Sequence, residues 1–97
     1  MVDKEKFYDT AEARKKLDNN YPWLEEEIWI PMFKALGEDE DDIIEFMDNA
    51  DKETLKYLYS VYEYIMDKFP SKKMDKAIDR YLENYQKAFN VKFKTSF

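Results

Sequence analysis

The sequence predicts an all-α fold: a compact bundle of four to five short helices forming a single domain over residues 1–97. Three observations carry that expectation. The 97 residues include one glycine and three prolines, too few turn formers for a sandwich or barrel that turns about every 8–12 residues. Apolar side chains recur at the three- and four-residue spacing of a helix face along several stretches. Residues that cap or stop helices fall between those stretches. A chain of this length buries about 60–65% of its unfolded surface, which suffices for one core.

The elements follow in order. Residues 3–18 carry Phe7, Ala11, Arg14 and Leu17 among good helix formers, with Thr10 a possible cap for a shorter version, and Asn19-Asn20 stops the helix. Pro22 suits the first turn of a second helix, with Glu25 and Glu26 near its positive end. Trp23, Leu24, Ile28, Phe33 and Leu36 form its apolar stripe, Pro31 must bend or split it, and Gly37 ends it. Residues 39–49 read as a short third helix with Ile43, Ile44, Phe46 and Met47 apolar. Asp51 caps a fourth that runs to Phe69, with Leu55, Leu58, Tyr62, Ile65 and Phe69 on one stripe and Tyr57, Val61 and Tyr64 beside it. Pro70 ends that helix. Ser71 caps a fifth, which places Met74, Ile78, Tyr81, Leu82, Tyr85 and Phe89 on one face. Residues 89–97 read as an extended or frayed tail. Connections this short make sequential helices antiparallel neighbours.

Composition removes most chemistries. At 44% hydrophobic and 18% aromatic, the chain is too apolar for disorder. It has no cysteine and no histidine, which removes disulfides, zinc and haem sites, and nucleophiles that need a histidine base. One glycine cannot build a phosphate-binding loop. Glu26, Glu27 and Glu63 have no spacing that marks an acid/base pair, and the acidic run lacks the alternation and glycine of a calcium loop. The expectation is therefore a protein that is not an enzyme and carries no metal or cofactor. The charged start, Met1 to Lys6, has no apolar stretch behind it, and no apolar run approaches the roughly 20 residues that cross a bilayer. A cytoplasmic protein without membrane contact is expected.

Charge is unevenly placed within the net −6. Residues 25–53 carry twelve acids and two bases, and residues 68–97 three acids and eight bases. The acidic peak is Glu38, Asp39, Glu40, Asp41 and Asp42, continued by Glu45, Asp48 and Asp51. Two or three acids complement a helix N-terminus; a run of five repels itself, which suits either a solvated helix start or a surface that meets a basic partner. The basic stretch Lys68, Lys72, Lys73, Lys76 and Arg80 is interleaved with Asp75, Asp79 and Glu83, and reads as a solvated face with local pairs rather than a nucleic-acid surface.

Aromatics add a second signal. Tyr57, Tyr59, Tyr62 and Tyr64 cannot all face one interior, so one or two belong at the surface beside the acidic helix. Tyr57 and Tyr64 are the candidates for contact with a partner. Trp23 and Trp29, about 120° apart around a helix, cannot point the same way; one is core and the other is open to a partner.

From Asp39 onward three pieces follow one another: an acidic helix, Asp41-Asp42-Ile43-Ile44-Glu45-Phe46-Met47-Asp48-Asn49; a tyrosine-rich helix, Leu58-Tyr59-Ser60-Val61-Tyr62-Glu63-Tyr64-Ile65; and Ser71-Lys72, opening the helix with Ala77-Ile78 and Leu82. Over roughly residues 39–85 this order resembles small acidic all-helical immunity proteins encoded beside bacterial polymorphic toxins, of the kind used in contact-dependent inhibition. The first 38 residues carry no such likeness. The resemblance implies a protein that binds a cognate toxin domain with a basic surface, often a nuclease, and occludes its active site. The expected contact residues are Asp39, Glu40, Asp41, Asp42, Glu45, Asp48, Tyr57 and Tyr64, on a monomer or weak dimer that does not bind nucleic acid. The alternative is a phage-encoded acidic mimic of nucleic acid, of the anti-CRISPR or anti-restriction type.

Overall fold

Helix α1 (Lys4–Lys15) starts at Asp3, whose side chain accepts from the Lys6 backbone N–H. Thr10 is not a cap; its hydroxyl donates to the Phe7 carbonyl inside the helix. The computed structural model describes residues 1–91, so the expected tail lies outside the described residues from position 92 onward.

Pro31 neither splits nor stops its helix. The turn before it widens instead: residues Glu25–Trp29 wind as a π-helix that runs directly into α2 (Ile30–Ala35). The Ile30 N–H reaches back five residues to the Glu25 carbonyl. Proline forbids a bond from its own nitrogen and crowds the carbonyl four back, and the wider turn relieves both. Gly37, at φ +81°, ends α2 in a left-handed conformation, with its N–H on the Lys34 carbonyl. A Cβ there would meet the Met1 carbonyl at 3.0 Å. The N-terminal segment is also tied down where the Asp3 N–H donates to Ala35 at 2.7 Å.

Helices α3 (Glu40–Asp48), α4 (Lys52–Leu58), α5 (Tyr62–Lys68) and α6 (Lys72–Phe89) complete the fold. Asp39, Asp51 and Ser71 cap α3, α4 and α6, each accepting from a backbone N–H three residues on. The described residues are all-α and form six helices, where four to five were expected. The difference lies in the single helix expected between Asp51 and Phe69. It breaks at Tyr59–Val61, where Val61 leaves helical geometry at φ −124°, ψ −2°. A straight helix apolar around most of its circumference would turn part of that surface to water. The corner instead sends Leu55, Leu58, Val61 and Ile65 all into the core, each at most 5% exposed.

Helix α6 is the organising element. Helices α3, α4 and α5 pack on it, while α1 packs on the π segment and α2. Sequential packing therefore holds for α1 with the π segment and α2 and for α5 with α6, whereas α3 and α4 both lean on α6. Phe7, Met32, Leu36, Ile43, Met47, Leu58, Ile65, Met74 and Tyr81 fill the interior. The Tyr81 hydroxyl donates to the Leu55 carbonyl at 2.6 Å, joining α6 to α4. Tyr8 and Thr54 share a 2.8 Å hydrogen bond that joins α1 to α4. Among the described residues, no helix is long and apolar enough to cross a membrane.

Candidate functional site: where the carboxylates are open

The acidic run and the basic stretch meet inside the fold. Lys73, on α6, contacts Asp41 and also Glu40 at 3.4 Å. Glu40 further accepts from the Ser71 hydroxyl at 2.6 Å. Asp48 pairs with Arg80 through both carboxylate oxygens. Asp42 takes the Met1 ammonium at 3.0 Å, and Glu38 takes Lys68 at 3.3 Å. Asp39 serves as the α3 cap. The like charge of the run is thus largely met by cations that lie 30–33 residues away in sequence or at the chain start. The basic residues were expected to pair locally along their own helix. Lys73 and Arg80 instead cross to α3, because the three- and four-residue steps Lys73, Lys76, Arg80 put them on one stripe of α6 that faces it. Lys87 with Glu83 is a local pair of the expected kind.

The expected contact residues therefore sit in different surroundings. Glu45 is exposed and makes no ion pair among the described residues. Asp41 remains open at its outer side, with 76% of its side chain exposed. Tyr57 is in the core at 7% exposure, and its hydroxyl donates to Glu53 at 3.0 Å. Tyr64 is half-buried, its ring 5.7 Å from that of Phe33.

Tyr64 leads to a surface that the acidic peak in the sequence obscured. Burial, then the nearby charge of Glu25 and a hydrogen bond with it, then Glu63, push the Tyr64 hydroxyl above its ordinary pKa of 10.0. Glu25 comes from the π segment and Glu63 from the first turn of α5. Glu25, Glu26, Glu27, Glu63 and Asp67 are all exposed, and none takes part in an ion pair among the described residues. Glu27 accepts from the Tyr21 hydroxyl. Trp23, just before the π segment, is 51% exposed, while Trp29 packs on the core with its indole N–H buried and unpartnered. Trp23 is thus the tryptophan open to a partner. The winding forced by Pro31 falls on the stretch that carries the three glutamates.

Among the described residues, no group of three or more acidic side chains could hold a metal ion. What the arrangement offers is large aromatic surface beside uncompensated carboxylates. Aromatic anchors contribute contact area, and the charges favour a partner of opposite sign. No family model matches the chain, and no curated protein or solved structure matches it either.

Proposed function

We propose that the protein works by binding rather than catalysis, as an immunity protein that neutralises a cognate toxin domain with a basic active-site surface, such as a nuclease. One observation carries the reading. Four of the five carboxylates of α3, all but Glu45, are engaged with cations of the same chain, whereas among the described residues those around Tyr64 and Trp23 take part in no ion pair. Glu25, Glu26, Glu27 and Glu63 complement the starts of their helices, but that leaves them without a counter-charge and Trp23 half-exposed; a basic partner gains from both. Glu25, Glu63, Tyr64 and Trp23 form the contact centre in this reading. Glu45 and the outward side of Asp41 add long-range attraction that speeds encounter. The order of helices from Asp39 to Leu82 supports the immunity class through its resemblance to such proteins. The same reading places the protein in the cytoplasm, as a monomer or weak dimer, with no membrane partner and no nucleic acid bound.

A mimic of nucleic acid is less well supported. It needs a row of open charges in place of phosphates, and most of the acidic run of α3 is matched by lysine, arginine or the N-terminus.

The test is co-expression with the toxin domain encoded by the neighbouring reading frame. Protection of growth and a stable equimolar complex are expected, with both lost in a Glu25→Lys/Glu63→Lys variant that folds normally. A chain that neither binds nor protects contradicts the reading.

A further inference from the structure

We propose that the groove between α5 and α6 receives an aliphatic side chain carried on a lysine- or arginine-rich segment of the basic partner. The proposal rests on the reading that the protein docks on a basic surface, and it adds what that surface inserts.

The groove encloses about 420 Å³. Its apolar floor is Tyr62 and Met66 from α5 with Ile78 and Leu82 from α6, and Met66 is 39% exposed. Its rim is Glu63, Asp67 and Asp79; no lysine or arginine lines it. All three rim acids are exposed, and none is in an ion pair among the described residues. Helix α6 divides its charge to produce this. Arg80 turns to Asp48 on α3, while Asp79, one residue earlier, turns to the groove with Ile78 and Leu82. Asp75 lies one turn before Asp79 on the same side of the helix. Lys73 and Arg80 of α6 are thus engaged on α3, and the groove is lined by acids without a lysine or arginine.

Charge complementarity selects the occupant. An acidic segment or a nucleic acid is repelled by the rim. A purely apolar segment covers the floor but strips water from carboxylates without offering a counter-charge, which is costly. A segment with an aliphatic residue flanked by lysine or arginine satisfies both parts, since the long basic side chains lay their methylenes on the floor and their charges at the rim. Met66 adapts its shape to the inserted group. Glu63 belongs both to this rim and to the surroundings of Tyr64, so the groove continues the surface described above.

The experiment is an NMR titration of the full chain with a short amphipathic helical peptide of leucine and lysine. The same peptide with glutamate in place of lysine is the control. Shifts are expected at Tyr62, Met66, Ile78 and Leu82 with the lysine peptide and not with the glutamate peptide. Asp67→Lys/Asp79→Lys should weaken binding by about tenfold or more. Glu5→Lys/Asp9→Lys, an equal charge change on α1, should leave it near the wild-type value, with folding of both variants verified by circular dichroism. Equal weakening by the two variants, shifts spread over α1 and α3, or no binding overturns the groove proposal. The toxin assay decides the underlying reading separately. Neutralisation untouched by Asp67→Lys/Asp79→Lys removes the groove and leaves toxin binding standing. Failure of the wild-type chain to bind the toxin removes the reading, while the peptide titration still decides the groove.

Discussion

Arg80 and Asp48 form a two-point ion pair between α6 and α3: Nε donates to one carboxylate oxygen at 3.2 Å and Nη2 to the other at 3.0 Å. The planar fork of arginine matches the carboxylate, which gives the contact directional specificity as well as charge. With Lys73 on Asp41 and Glu40 a little under two turns earlier, it fastens the acidic helix along the basic stripe of α6.

Reversing one partner should therefore hurt, and reversing both should not. Arg80→Asp or Asp48→Arg alone is expected to lower the melting temperature at low salt, since each leaves like charges facing each other. The swapped double variant is expected to regain most of the loss. Thermal melts of the four proteins measure the coupling; simple additivity of the two single changes would count against the contact.

Leu58 and Ile65 lie on either side of the Val61 corner, and neither is exposed to solvent. Leu58→Ala and Ile65→Ala should each cost about 2–5 kcal/mol in denaturant unfolding, as large-to-small core changes do. A loss under about 1 kcal/mol at both would mean that the corner does not bury them.

The cap of α4 gives a pH test. Backbone and side-chain hydrogen bonds from Thr54 hold the Asp51 carboxyl below its ordinary 3.8. A lowered folded-state pKa stabilises the fold above the unfolded value, and that contribution fades as pH falls through the folded one. Asp51→Ala should cost about 1 kcal/mol near neutral pH. The gap from wild type should narrow below pH 3.8. Urea midpoints across an acid series measure it; a gap constant with pH would show that the carboxylate is not the capping group.

Tyr81 gives the alkaline counterpart. Burial above all, with the neighbouring tyrosines Tyr85, Tyr62 and Tyr59, pushes its hydroxyl far above the ordinary 10.0. The folded state then keeps a proton that the unfolded state gives up, so stability falls as pH rises past 10.0. Tyr81→Phe removes the bond to Leu55, whose carbonyl keeps the Tyr59 N–H. The expected cost near neutral pH is about 0.5–1.5 kcal/mol. The variant should also lose less stability than wild type above pH 10; an identical alkaline slope would place the titrating group elsewhere.

Local signals carried much of this fold. Asp39, Asp51, Ser71 and Gly37 each mark the boundary at which a helix starts or stops, because capping is settled within a few residues. The two departures differ in origin: the first is local sterics at a proline, the second is tertiary packing overriding the local pattern. Pro31 is absorbed by a wider turn rather than a break, and Val61 turns a corner inside an uninterrupted apolar pattern. The candidate site was harder to read for a related reason. Sequence order displays blocks of charge but not which blocks fold onto each other, so the densest acids drew attention while their cations lay about thirty residues on. Glu63 stands next to Tyr64 in the chain, but Glu25 lies 39 positions earlier, and only the fold brings it to Tyr64.

The central proposal is that a partner docks on the carboxylates around Tyr64 rather than along α3, where most are already paired. Association kinetics with the proposed toxin partner, at low and high salt, test it most directly. The Asp48→Arg/Arg80→Asp swap, which inverts charge on α3 while keeping its contact, should associate at the wild-type rate with the wild-type salt dependence. Glu25→Lys/Glu63→Lys should associate more slowly and lose much of that dependence, because charges at a docking edge act mainly on the on-rate. Slowed association in the swapped protein, with Glu25→Lys/Glu63→Lys unchanged, would contradict the account and return the docking surface to α3.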